Sequence, residues 1–100
     1  MILYIDTTDF NRVTFGLGGD GKTIRRSYKI DRHRSHEMLQ KLDEFLKSKK
    51  LKVESIKKIV ANKGPGSFTG TRVGVTHALA LGFALKVPVK FLDKDNFVVR

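Results

Sequence analysis

Gly64-Pro65-Gly66-Ser67-Phe68-Thr69-Gly70 runs without a break into Thr71-Arg72-Val73-Gly74-Val75-Thr76-His77-Ala78-Leu79-Ala80-Leu81-Gly82-Phe83-Ala84-Leu85. This stretch decides the fold. Glycines and a proline form a turn, and a mostly apolar run with no second proline reads as a helix over about residues 69–85. Before the turn stands Ile56-Lys57-Lys58-Ile59-Val60-Ala61, a β-prone run. After the helix, Pro88 punctuates and Val89-Lys90-Phe91-Leu92 follows as another strand. Strand, turn, helix, strand is a crossover unit, and crossovers of this kind join parallel strands.

Working towards the N-terminus, Ile2-Leu3-Tyr4-Ile5 is short, continuous and apolar, as a buried central strand is. Arg12-Val13-Thr14-Phe15-Gly16-Leu17 alternates and reads as a second strand. Gly18-Gly19-Asp20-Gly21 is a hairpin signal, and residues 23–30 read as a third strand with Ile24, Tyr28 and Ile30 on one face. A first helix follows. Ser35 suits its N-cap and Glu37 its first turn, while Lys47, Lys49 and Lys50 suit the negative end of its dipole. Met38, Leu39, Leu42, Phe45 and Leu46 form its apolar stripe. The tail 96–100 reads as a short extended stretch. The order β-β-β-α-β-α-β predicts an α/β domain, a five-stranded mixed sheet with helices packed on it.

One hundred residues make one small domain. With 40% hydrophobic and 30% charged residues the composition is globular, and no apolar run has the length of a membrane span. The N-terminus carries no basic head and reads as no secretory leader. No cysteine is present, which excludes disulfides, thiolate-ligated metals and thiol catalysis and fits a cytoplasmic protein. The net charge is +10. Between Lys22 and Lys63 stand 14 basic and 5 acidic residues, whereas residues 64–85 hold one charge, Arg72. The basic region is expected to meet a polyanion such as RNA, or to be a solvated lysine-rich face.

Two features carry chemistry. The loop 64–70 follows a strand and opens a helix. Gly64, Gly66, Ser67 and Thr69 could cradle a phosphate on backbone N–H groups, hydroxyls and the helix N-terminus. No Gly-Lys-Ser/Thr ending makes it a Walker loop, and a plain tight turn is the alternative. Within the second helix, Gly70, Gly74, Ala78 and Gly82 recur every fourth residue. Interior glycines cost about 1 kcal/mol each relative to alanine, so a packing reason is expected. The expectation is that this small-residue stripe, with Leu39, Leu42 and Leu46 of the first helix, receives a partner, while Val75, Leu79 and Phe83 pack on the sheet. The alternative is that the first helix covers the stripe.

The stretch from Gly64 to Val75, the following Ala78-Leu79-Ala80-Leu81-Gly82, Val87-Pro88-Val89 and the opening Ile2-Leu3-Tyr4-Ile5-Asp6-Thr7-Thr8 together resemble the TsaB (YeaZ) family. The resemblance covers most of the chain. It implies a single actin-like (ribonuclease H-like) lobe, the first of the two that family members carry, without that lobe's last helix. It implies a non-catalytic partner subunit that binds TsaD through its two helices and supports synthesis of threonylcarbamoyladenosine at position 37 of tRNA. A homodimer is expected when TsaD is absent, and a tRNA contact through the basic region between Lys22 and Lys63. Asp6 stands where actin-like ATPases place a magnesium-associated carboxylate, but ATP and magnesium in that superfamily sit between two lobes, so neither is expected here without a partner lobe. TsaD holds its metal through His-x-x-x-His. His33 and His36 are three apart and His77 is remote, so no metal site is expected. Two other readings remain open: a phosphate- or nucleotide-binding module using the glycine loop and Asp6, and a free-standing basic RNA binder.

Overall fold

The computed structural model describes residues 1–9, 11–19, 22–30, 36–64 and 68–93. Strands β1 (Ile2–Asp6), β2 (Arg12–Gly19) and β3 (Lys22–Lys29) form the antiparallel meander that their alternation predicts. Helix α1 (His36–Ser48) leads through a single 3₁₀ turn (Val53–Ser55) to β4 (Lys58–Asn62). Helix α2 (Phe68–Leu85) leads to β5 (Val89–Leu92). The sheet order is β3-β2-β1-β4-β5, with β4 parallel to both β1 and β5. This is the mixed five-stranded sheet that the crossover rule requires.

Register assigns each side chain to a face. Leu3 pairs with Leu17 and Ile59, and Ile5 with Phe15 and Ala61, so these residues share one side of the sheet. All are buried, and both helices lie on this side. Phe45 of α1 stacks on Phe15 with centroids 5.9 Å apart, and Tyr28 tilts against Phe15 at 6.2 Å. Each such side chain contributes about 1.5–3 kcal/mol by leaving water.

Two expectations shift. The fourth strand starts at Lys58 rather than Ile56, because the N–H of Ile56 donates to the carbonyl of Val53 in the 3₁₀ turn. Ile56 is thereby a buried core residue just before β4 instead of a ladder residue. Leu39 leaves the α1 stripe and is half exposed, while Met38, Leu42, Phe45 and Leu46 face the core.

The two helices end alike. Lys50 and Lys86 have φ of 54° and 57°, in the left-handed region. Leu51 N–H donates to the Leu46 carbonyl at 2.9 Å, and Val87 N–H to the Gly82 carbonyl at 3.0 Å. Both are Schellman closures in which lysine occupies the position glycine usually holds. Pro88 then blocks any continuation of α2.

Candidate functional site

β1 and β4 run in the same direction and end side by side, with Ile5 opposite Ala61. Their carboxyl ends bring Asp6 next to Asn62, and the glycine loop begins there. Ligands of open α/β sheets settle at such ends. The structure therefore brings together Asp6 and Gly64, which lie 58 positions apart in the sequence. What they do there is internal. Asp6 Oδ1 accepts from the Thr8 N–H at 2.9 Å and from the Thr8 hydroxyl at 2.6 Å, which closes the polar turn after β1. Asn62, buried at 2% exposure, accepts from the Gly64 N–H at 3.0 Å. Gly64 is itself buried with φ 105°, a conformation that side-chain-bearing residues avoid. Asn62 carries no motif. Only its place one residue past the apolar run marks it as a turn-forming residue.

Gly66 and Ser67 lie outside the described residues, as does His33. The backbone of Thr69 and Gly70 lies in the first turn of α2. Among the described residues no three histidine, aspartate or glutamate side chains come together as metal ligands.

The helix faces reverse the expected arrangement. A Cβ on Gly74 would run into the Thr7 side chain, and one on Gly82 into the Val89 side chain. Ala78 is fully buried among core residues. The small-residue line Gly74, Ala78, Gly82 thus faces the sheet. Leu42 and Leu46 are core residues as well, at 6% and 5% exposure. The physical reason is closeness: without side chains, α2 settles directly on the end of β1 and on β5. Leu79 and Phe83, expected to pack on the sheet, point outward and are 51% and 88% exposed. Val75 is half-buried, and Thr76, Ala80 and Ala84 are exposed beside them. Between Val75 and Ala84 the outer surface of α2 is therefore largely apolar. Of the proposed contact residues, Leu39 alone is shown exposed, at 50%.

The comparisons fit this geometry. Residues 28–93 match the family model of TsaD, tRNA N6-adenosine threonylcarbamoyltransferase. A curated relative, the tRNA threonylcarbamoyladenosine biosynthesis protein TsaB of Bacillus subtilis, is 31% identical over 88 residues. The alignment covers 88% of this chain and 38% of that protein. The solved structure of YeaZ from Pseudomonas aeruginosa superposes with a TM-score of 0.79 at 25% identity, over 92% of this chain and 43% of that one. RuvC of T. thermophilus in complex with a Holliday junction substrate shares the fold alone, with a TM-score of 0.64 at 12% identity over 94% of this chain and 64% of that one. The chain thus spans about two-fifths of the length of its TsaB and YeaZ relatives. Matched along residues 28–93 and folded as YeaZ is folded, it belongs to the TsaB (YeaZ) family of TsaD-type, actin-like domains.

Proposed function

We propose that the chain is a non-catalytic TsaB-type partner subunit, working in the cytoplasm in the synthesis of threonylcarbamoyladenosine at position 37 of tRNA. Its residues correspond to the first of two actin-like lobes, and it docks on a TsaD-type protein through the outer face of its helices. The observation that supports this reading is Phe83, 88% exposed beside exposed Leu79 on an 18-residue helix. A large aromatic left in water forgoes about 1.5–3 kcal/mol that a covering partner restores. In the absence of TsaD the same face closes on a second copy. The non-catalytic assignment draws on Asp6, whose Oδ1 is taken up twice by Thr8.

Size-exclusion chromatography of the chain with purified TsaD tests the proposal. Co-elution is expected for the natural chain and is lost in Phe83→Glu, while Phe83→Leu retains it. Separate elution of the natural chain and TsaD removes the partner reading. A second reading, phosphate or nucleotide binding, is favoured by the meeting of Asp6 and Gly64 at the strand ends. Titration calorimetry with ATP and magnesium decides it, and the absence of heat at millimolar ligand ends it.

A further inference from the structure

The two ends of the parallel strands differ in charge. At the end where β1, β4 and β5 begin, Ile2 stands opposite Lys58 and Ile59 opposite Val89. Backbone bonds tie the neighbouring segments to these starts. Lys57 N–H donates to the Met1 carbonyl at 2.8 Å, Ile59 N–H to the Pro88 carbonyl at 3.0 Å, and Ser55 N–H to the Lys52 carbonyl at 3.0 Å. The close of α1, the 3₁₀ turn, the close of α2 and the starts of the three strands thus make one surface. At about 4.8 Å per strand it is about 10 Å wide across β1, β4 and β5, near one Debye length at 0.1 M salt, so its charges act together on a ligand. Residues 47–58 hold six lysines against one acid, Glu54, and Lys86 adds a seventh lysine. Lys47 is paired with Asp43 along α1. Lys50, Lys52, Lys57 and Lys86 are exposed, and none of them ion-pairs with a described residue. The opposite strand ends are balanced among the described residues, with Asp6, Asp9 and Asp93 against Arg12, Lys29 and Lys63.

A second observation sets this end apart from an ordinary solvated run of lysines. Lys50 and Lys86 both hold the left-handed conformation, with φ of 54° and 57°. Glycine closes a helix there without a Cβ in the way, and lysine does so under strain. The same unfavourable choice occurs at both helix closures, 36 positions apart in the sequence, and both lie at the lysine-rich end. Backbone strain that recurs in this way marks side chains kept for what they reach rather than for the fold. A cation near a helix C-terminus also meets the dipole, but Lys47 already supplies one in the last turn of α1.

We infer that this end binds the sugar-phosphate backbone of RNA, with Lys50 and Lys86 at the two helix closures and Lys52 and Lys57 between them on the phosphates. The choice of RNA as occupant rests on the proposed role in tRNA modification together with the unbalanced positive charge. Lysines of this kind position a nucleic acid without reading its bases. The expected polyanion contact thereby narrows from the segment between Lys22 and Lys63 to residues 50–57, and Lys86 joins it from outside. Fluorescence anisotropy of the full chain with an unmodified tRNA transcript, over a range of salt, tests it. Lys50→Gly with Lys86→Gly is expected to weaken binding about tenfold and to lower the salt slope by about 2. The same variant should have a raised urea midpoint, so that loss of the fold does not explain loss of binding. Lys52→Gln with Lys57→Gln should lower the slope as well, without altering either helix closure. Arg12→Gln with Lys29→Gln removes equal charge from the opposite end and is expected to leave binding within about twofold. Equal weakening by the Lys50–Lys86 and Arg12–Lys29 pairs overturns the inference, because total charge would then be responsible. Unchanged binding in the Lys50–Lys86 variant overturns it, as does absence of binding by the natural chain. The Lys50–Lys86 variant is also run with TsaD on size-exclusion chromatography. Retained co-elution with weakened tRNA binding supports the RNA contact. Lost co-elution with tRNA binding intact assigns these lysines to an acidic protein surface and overturns it. Co-elution of a natural chain that binds no tRNA ends the RNA contact while the partner reading stands.

Discussion

α1 and α2 cover the same side of the sheet by opposite means. In α1 bulk faces inward: Phe45 and Met38 are buried, and the outer surface carries charges paired along the helix, such as Asp43 with Lys47 at 2.9 Å. In α2 bulk faces outward: Gly74, Ala78 and Gly82 touch the sheet while Leu79 and Phe83 stand in solvent. An amphipathic helix declares its inner face by polarity. A helix apolar all round declares it by size alone, and size is read only once the surface beneath is known. The contrast also separates stability from association. What α1 holds is the core, and what α2 leaves exposed is available to another molecule.

Four measurements would break or sharpen this contrast. Phe45→Ala removes the inward bulk of α1 and should cost about 3–5 kcal/mol in urea denaturation. A loss below about 1 kcal/mol would mean that α1 is not anchored through its aromatic residue. Gly74→Val puts bulk on the inward line of α2 against Thr7 and should cost about 3 kcal/mol. The milder Gly74→Ala should be partly rescued by Thr7→Ala, with a coupling of about 1 kcal/mol, and strict additivity would contradict the close approach. Lys86→Gly relieves a left-handed lysine and should raise stability by about 0.5–1 kcal/mol, as should Lys50→Gly, because both helices end alike. Phe83→Ser changes the outward bulk and should shift the stability of the isolated monomer by less than about 0.5 kcal/mol. A large loss there would show Phe83 to be part of the core after all.

Much of the architecture was legible because it rests on local chemistry. Alternation in Arg12 to Leu17, the glycine-rich hairpin signal and the strand–glycine–helix–strand run lead to the observed order and to parallel pairing of β1 with β4. That pairing also carries Asp6 and Gly64 to one end of the sheet. The orientation of α2 was not legible, since Val75, Leu79 and Phe83 are as apolar as any sheet-facing line and hydrophobicity could not rank them. Asn62 gives no sequence signal either: an asparagine before Lys-Gly looks like solvated loop, and its burial comes from the strand end it occupies.

The two contacts of α2, Gly74 on Thr7 and Gly82 on Val89, are eight residues apart, about 12 Å along the axis. They seat the helix directly on the sheet at two points, one in its first half and one near its C-terminal end, with no side chain between to give way. Whatever meets Phe83 therefore encounters a stiff beam rather than a cushion, and adjustment in shape must come from the arriving molecule. Sequence change along this helix should accordingly be free on its outer flank, where a new partner can be accommodated, and forbidden on its inner one.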